Sequence, residues 1–471
     1  MKKLCVISLL LVICTISVKA QEYTSYDISK YYTPDIKRNK LDLEFGTNGR
    51  YNNDEFSSLK SSNIVGNLKA DLNHYTHTRK RFSEFGVKIN TDAYSNKNSS
   101  ENYDSKNSSF EPVINLFTTN RFYNPSNMYF LIGGGGEFAF SRNVRKQEHF
   151  ETNEKTEEIA KRQDITARAF IGGGKGRLES VEDARQAIYI LENLSKRGVL
   201  SRRLTDEEIF TLSQLISSVK NKRFFDSRLH LIDEITRVDS FFVNNGLLTK
   251  SDAPYFTTLY DYWQNGALFE RLSGTRFESY LSANHRRVKN DIDRPHNISL
   301  SQSQTNDENR VFWSNSIFYE KPINLYWQNS VSALLHMGYL WQNEDNSILG
   351  ITGRKRENAF STLVGSYAWA YYPNSRTRFS AWANQTVFLS KTIRTDNEQD
   401  SRYDKGAKFL SSTTSINGKL SYYISPQLRL SAHISTEIGY YKNMPPTTEY
   451  NNIEYLKKGI SGGVTLTYSI Y

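Results

Sequence analysis

Apolar and polar residues alternate with period two through most of this chain. Leu41, Leu43 and Phe45 interleave with Asp42, Glu44 and Gly46. Ile64, Leu68, Ala70 and Leu72 interleave with Asn67, Lys69, Asp71 and Asn73. The pattern is cleanest late in the chain, where Leu428, Leu430, Ala432, Ile434 and Ile438 alternate with Arg429, Ser431, His433, Ser435 and Glu437. Successive side chains of a strand point to opposite faces, so each such segment predicts a strand with one greasy and one polar side. Fourteen segments emerge, at roughly 40–51, 63–77, 82–95, 109–123, 128–142, 164–175, 267–285, 309–320, 324–341, 358–372, 377–391, 408–424, 428–441 and 459–471.

The connections alternate in length. The first, third and fifth are long and polar, as in 95–109 and 144–163. Short turns fall between them, with an aromatic residue just before a proline: "RFYNPSN" (121–127), "FYEKPIN" (318–324), "YYPNSR" (371–376) and "YYISPQL" (422–428). Proline ends a ladder where a strand leaves the sheet, and Tyr and Phe favour a membrane–water interface. A soluble sandwich also alternates along its strands. Short turns on one side with long loops on the other are instead a feature of membrane barrels.

Residues 178–265 break the two-residue period and read as four helices. Ser180 is the expected cap of the first, whose stripe is Val181, Ala184, Ile188, Leu191 and Leu194. Thr205 opens a capping box with Glu208. The third helix carries Phe225, Leu229, Ile232, Ile235, Val238 and Phe242, and the fourth Phe256, Leu259 and Tyr260. These stripes predict a small bundle with its own core.

Composition narrows the setting. Lys2 and Lys3 precede an apolar run, Leu4 to Val18, and Val18-Lys19-Ala20 offers a cleavage site, so residues 1–20 read as a secretory signal. Both cysteines, Cys5 and Cys14, lie inside it, so the remainder is expected to hold no disulfide and no cysteine-based metal site. The formal charge is +10, and Lys2, Lys3 and Lys19 belong to the signal. The modest balance left suits anionic surfaces or solutes and not nucleic acid. Beyond the signal no run of eighteen apolar residues occurs, so no helix is expected to span a membrane.

With its signal, its alternating strands and its last strand "GGVTLTYSIY" (462–471), the chain resembles Gram-negative outer-membrane β-barrels, and its Tyr- and Asn-rich hairpins are similar to those of the Bacteroidota type. The resemblance implies an all-β transmembrane barrel in outer-membrane lipid, of about 14 antiparallel strands, with the helical bundle inserted between strands 6 and 7. It further implies that barrel-assembly machinery reads the final strand through Val464, Leu466, Tyr468, Ile470 and Tyr471, although Tyr471 is one residue out of phase with the apolar series. The expected layout is signal 1–20, N-terminal periplasmic segment 21–39, strands 1–6 over 40–177, bundle 178–265, and strands 7–14 over 266–471. An even-to-odd connection lies on the side of the N-terminus, which places the bundle in the periplasm.

Little in the chain points to catalysis. The glycine runs "IGGGGEF" (132–138) and "IGGGKGR" (171–177) lack the spacing of a phosphate loop, and within strands they instead allow close approach of neighbouring groups. His74 and His77 fall on opposite faces, so no metal site is expected. His433, Ser435 and Glu437 share a face, but a two-residue spacing of roughly 7 Å is too wide for a nucleophile and base. No enzyme and no cofactor is expected. Lys69, Lys88, Arg276, Glu278, Lys419, Arg429, His433 and Glu437 are expected to line a polar lumen. On the bundle, Arg223, Phe224 and Arg228 are the candidates for docking a periplasmic protein partner. Two functions follow: a channel for small polar solutes with a bundle that gates it or binds a partner, or a scaffold that recruits a partner through the bundle.

Overall fold

In the computed structural model the described residues are 23–54, 59–100, 102–152, 154–222, 230–295, 301–346, 351–396, 405–444 and 453–470. The signal, the three docking candidates Arg223, Phe224 and Arg228, and Tyr471 lie outside them.

Fourteen antiparallel strands form one sheet: β1 (Ile36–Asp54), β2 (Leu59–His77), β3 (Arg81–Ser99), β4 (Tyr103–Tyr123), β5 (Met128–His149), β6 (Glu154–Ser180), β7 (Leu272–Asp293), β8 (Gln302–Pro322), β9 (Trp327–Asn346), β10 (Ile351–Tyr371), β11 (Thr377–Thr395), β12 (Lys408–Tyr423), β13 (Leu428–Met444) and β14 (Ile453–Ile470). Each strand pairs with its neighbour in sequence, and the order closes into a barrel where β14 meets β1. That closure is made at Leu43 opposite Ile470 and Glu44 opposite Ser469.

The strands are longer than the alternation alone indicated, and this overturns the expected long loops. Tyr94 to Ser99 of β3 pair with Asp104 to Ser109 of β4, so most of 95–109 is ladder. Likewise β5 runs to His149 and β6 begins at Glu154, inside the segment expected to be loop. A hairpin that is polar on both faces still satisfies its backbone groups through the ladder, but it shows no greasy period by which to be recognised.

Side-chain contacts identify the inside of the barrel. Arg121 on β4 reaches Glu278 on β7, three strands away, and His77 on β2 reaches Glu179 on β6. Only the interior allows such contacts. Alternate positions then point outward, and there large apolar side chains are exposed on every strand, among them Ile64, Phe85, Trp313, Leu363, Ile434 and Val464.

Four helices lie between β6 and β7: α1 (Glu182–Lys196), α2 (Asp206–Lys220), α3 (Leu231–Asn244) and α4 (Ala253–Asn265). Thr205 and Glu208 make the reciprocal capping box, and Asp252 caps α4 by accepting from the Tyr255 N–H. Ser180 does not cap α1: the N-cap position is Val181, without a side-chain bond, and Ser180 hydroxyl donates to Glu182. Two stripes also differ from expectation. Ile232 is 81% exposed, and on α4 the buried series is Tyr255, Leu259 and Trp263 while Phe256 and Tyr260 face outward.

The bundle is docked, not pendant. Its core continues into the N-terminal segment through Tyr23, Tyr26, Ile28 and Tyr31, and into the β8–β9 turn through Leu325. Asp261 on α4 accepts from Arg376 in the β10–β11 turn at 2.8 Å. Helix α1 is consequently buried on more than one side, with Arg185, Gln186 and Glu192 covered as well as its apolar stripe.

Candidate functional site in the barrel interior

The interior is built from the inward positions of the strands. Lys69 pairs with Glu44 and Lys88 with Asp71, each at 3.4 Å and each across directly opposed residues of neighbouring strands. Arg276 lies 3.3 Å from Glu278, which also holds Arg121 at 2.6 Å. Arg429 stacks over Tyr423, and the His433 ring lies beside Gly463. Lys419, His433 and Glu437 are exposed on this inner face. The eight residues do not converge on one point; they are spread over β2, β3, β7, β12 and β13. His433, Ser435 and Glu437 form no relay, because Ser435 donates to Asn417 at 2.6 Å instead.

The glycine runs admit close neighbours, as expected from their place within strands, and the structure shows which residues those are. The Phe170 ring lies where a Cβ on Gly133 would be, and the Tyr280 side chain does the same at Gly172. Phe312 covers Gly338, and Tyr129 covers Gly174. In every case ring and glycine are directly opposed in the ladder. The Phe170 and Tyr129 rings therefore lie against the wall, whereas at Gly172 and Gly338 it is the Cβ atoms of Tyr280 and Phe312 that come close. Beside them a cavity of about 410 Å³ opens among β4–β7, between Phe117, Phe170 and Tyr280, with Arg168 and Glu137 on its lining.

At the short-turn end a clasp crosses the mouth. Glu179, near the end of β6, receives Thr33 hydroxyl at 2.8 Å and lies within 3.3 Å of His77, Arg79 and Arg177. Arg177 also donates to the Thr78 and Arg79 carbonyls of the β2–β3 turn. The short 3-10 helix Ile28–Lys30 lies against β8, halfway around the barrel from β1, so the N-terminal segment runs from one side of the mouth to the other.

Two arginines fix the bundle to this end. Arg271, just before β7, donates to the carbonyls of Asn324, Leu325 and Trp327 and to Gln328. Burial, and next the like charge of Arg185, lowers its proton affinity. Arg185 on α1 donates one bond, to the Phe269 carbonyl at 2.7 Å. Both guanidinium groups sit about the Tyr372 ring, 5.1 Å and 4.9 Å from its centroid. Among the described residues no group of His, Asp or Glu is arranged to hold a metal ion.

No protein-family model matches this sequence, and no curated protein matches it. Solved structures are similar to it at low identity. The translocator domain of autotransporter NalP from Neisseria meningitidis shares 8% identity over 83% of this chain and 88% of that one, with a TM-score of 0.30. A loop-deletion mutant of OmpT, an outer membrane protein of Vibrio cholerae, shares 8% over 92% and 99%, with a TM-score of 0.28. The Pseudomonas putida toluene transporter TodX shares 7% over 96% and 94%, also with a TM-score of 0.28.

Proposed function

We propose that this chain is an outer-membrane channel for small polar solutes, with its helical bundle on the periplasmic side as a cap over the short-turn mouth. The observation that carries the reading is the contrast between the two barrel surfaces. Large apolar side chains are exposed around the outside, while ion pairs and amides line the inside. In water such an outer surface is a liability, whereas in lipid it is the stable arrangement. A fourteen-strand barrel is wide enough to conduct unless it is filled. The N-terminal segment, the Glu179 clasp and α1 supply the filling at one end, which suits a gate.

Reconstitution of the purified full chain in planar bilayers tests this, alongside a Glu179→Ala variant that loosens the cap. Stepwise conductance, larger or more frequent in the variant, is expected. Silence of both would sink the channel. Tags in the β5–β6 hairpin and at Arg202 should report opposite sides of the membrane on intact cells; surface labelling at Arg202 would reverse the topology.

A scaffold is the second reading, favoured by the outward apolar groups of the bundle: Ile232 and Val243 on α3, Phe256 and Tyr260 on α4. A photocrosslinker at Ile232 should then capture one dominant periplasmic protein. In both readings β14 serves as the strand recognised during assembly, with Val464, Leu466 and Tyr468 facing out.

A further inference from the structure

Two inner glycines of β5 and β6 lie under aromatic rings. Gly133 is opposed and covered by Phe170, and Gly174 by Tyr129. Gly135 shares their inward face and lies between Phe117 of β4 and Arg168 of β6. The Arg168 guanidinium turns away onto the rings of Phe170 and Tyr280, 5.1 Å and 5.8 Å from their centroids, and donates to the Tyr280 hydroxyl at 3.1 Å. The 410 Å³ cavity opens beside Gly135, lined by Phe117, Arg168, Phe170 and Tyr280.

Its polar groups fall into two kinds. Arg121 and Glu278 satisfy each other at the inner end. Arg168 and Glu137 have no ion-pair partner among the described residues; Glu137 accepts one bond, from the Asn115 amide at 3.1 Å. One cation and one carboxylate therefore face the cavity with bonding capacity to spare, beside the rings of Phe117, Phe170 and Tyr280. The volume falls at the low end of the roughly 300–1,000 Å³ typical of ligand pockets.

We propose that this alcove is a binding subsite for a single sugar ring in transit. A pyranose offers a face of C–H groups to the aromatic rings and an edge of hydroxyls that both donate and accept. Arg168 supplies donors and Glu137 acceptors for that edge. An apolar solute of the same size would strip water from both charged groups and return nothing, and an inorganic ion would leave the rings unused. The subsite rests on the channel reading, of which it specifies the solute.

Calorimetric titration of the full chain in detergent, with maltose and separately with glutamine, tests binding without requiring an open pore. Bilayer recordings with the same solutes test transit. Maltose is expected to bind and to interrupt the current, and Arg168→Gln to weaken that binding by at least about tenfold. Lys250→Gln, on the surface of the helical bundle, should leave the affinity unchanged. A heat-modifiable gel shift reports whether each variant is folded, and Phe170→Leu provides a second lesion should Arg168→Gln fail to assemble. A conducting channel that shows no heat with maltose overturns the subsite and spares the channel, as does tighter binding of glutamine. Unchanged affinity in folded Arg168→Gln also overturns it. Maltose binding to a barrel that never conducts would support the subsite and sink the channel.

Discussion

Phe117 on β4 occupies the space that a side chain on Gly86 of β3 would fill. A Cβ at Gly86 would come within 2.3 Å of the ring's Cε1 and Cζ, and its three nearest neighbours are all atoms of that ring. The two residues are directly opposed in the ladder. Gly86→Ala should therefore destabilise the barrel by about 1–3 kcal/mol through overpacking, and Phe117→Ala should relieve most of the clash. At Gly133 the obstruction includes the Thr118 carbonyl oxygen at 2.4 Å as well as Phe170. Removing Phe170 should consequently not rescue Gly133→Ala. Urea midpoints of the two double-mutant cycles check this, with strong coupling expected at Gly86 and weak coupling at Gly133.

The two buried arginines should respond in opposite directions. Arg185 is 0% exposed, and its Nε and Nη1 have no hydrogen-bond partner among the described residues. Replacing such a charge by an apolar group of similar length is often stabilising, so Arg185→Met should raise bundle stability by about 1–3 kcal/mol. Arg271 satisfies four acceptors. Arg271→Met strands those acceptors and should cost about 3 kcal/mol. Fluorescence of Trp263, buried in the bundle beside Glu234, reports the transition; a loss of stability in both variants would contradict the account of Arg185.

Acid should loosen the bundle before the barrel. The Arg202 hydrogen bond, followed by the Thr205 backbone, holds Glu208 down to about 2. Asp183 is also held below its ordinary value: burial pushes it up, but the Lys220 ammonium at 2.8 Å and the Ser217 hydroxyl outweigh that. A carboxylate depressed in the folded state contributes stability above its unfolded pKa of roughly 4, and that stability is lost as pH falls through the folded value. Helical circular dichroism and Trp263 emission should change between about pH 4.5 and pH 2, with the sheet signal retained. Thr205→Ala, which removes half of the capping box, should cost about 1 kcal/mol at neutral pH.

Glu179 joins the N-terminal segment, the β2–β3 turn and β6 at one carboxylate. Removing one partner of a largely buried ionic group leaves the others uncompensated, at a cost of about 3 kcal/mol. Glu179→Ala should expose residues 23–34 to thermolysin, whereas the same protease should spare them in the parent protein. Equal protection in both would mean that Tyr23 and Tyr31, packed in the bundle core, hold the segment without the clasp.

The strands were legible in the sequence because a barrel wall imposes period two on every segment that separates lipid-like from polar surroundings. Where both faces are polar the period vanishes, and residues 95–99 and 144–149 accordingly read as loop although they are strand. The capping box at Thr205 was legible because its chemistry is local. Arg185 was not, since nothing within α1 reveals that its second face meets the barrel. The alcove was hidden for a related reason. Its glycines were visible, but the rings that cover them belong to partner strands, and register is a property of the pair.

The membrane reading makes a one-residue prediction on β13. Ile434 faces outward and is exposed, while His433 faces the interior. Arginine on the lipid face near the bilayer midplane costs about 2–4 kcal/mol, whereas lumen substitutions mainly tune selectivity. Ile434→Arg should therefore lower the stability of the barrel in lipid vesicles by that amount, and His433→Arg should be close to neutral. Repeating both measurements in detergent, whose headgroups approach the wall more freely, should shrink the difference. Equal costs for the two variants in vesicles would mean that the exposed belt of Ile64, Leu363 and Ile434 does not face lipid.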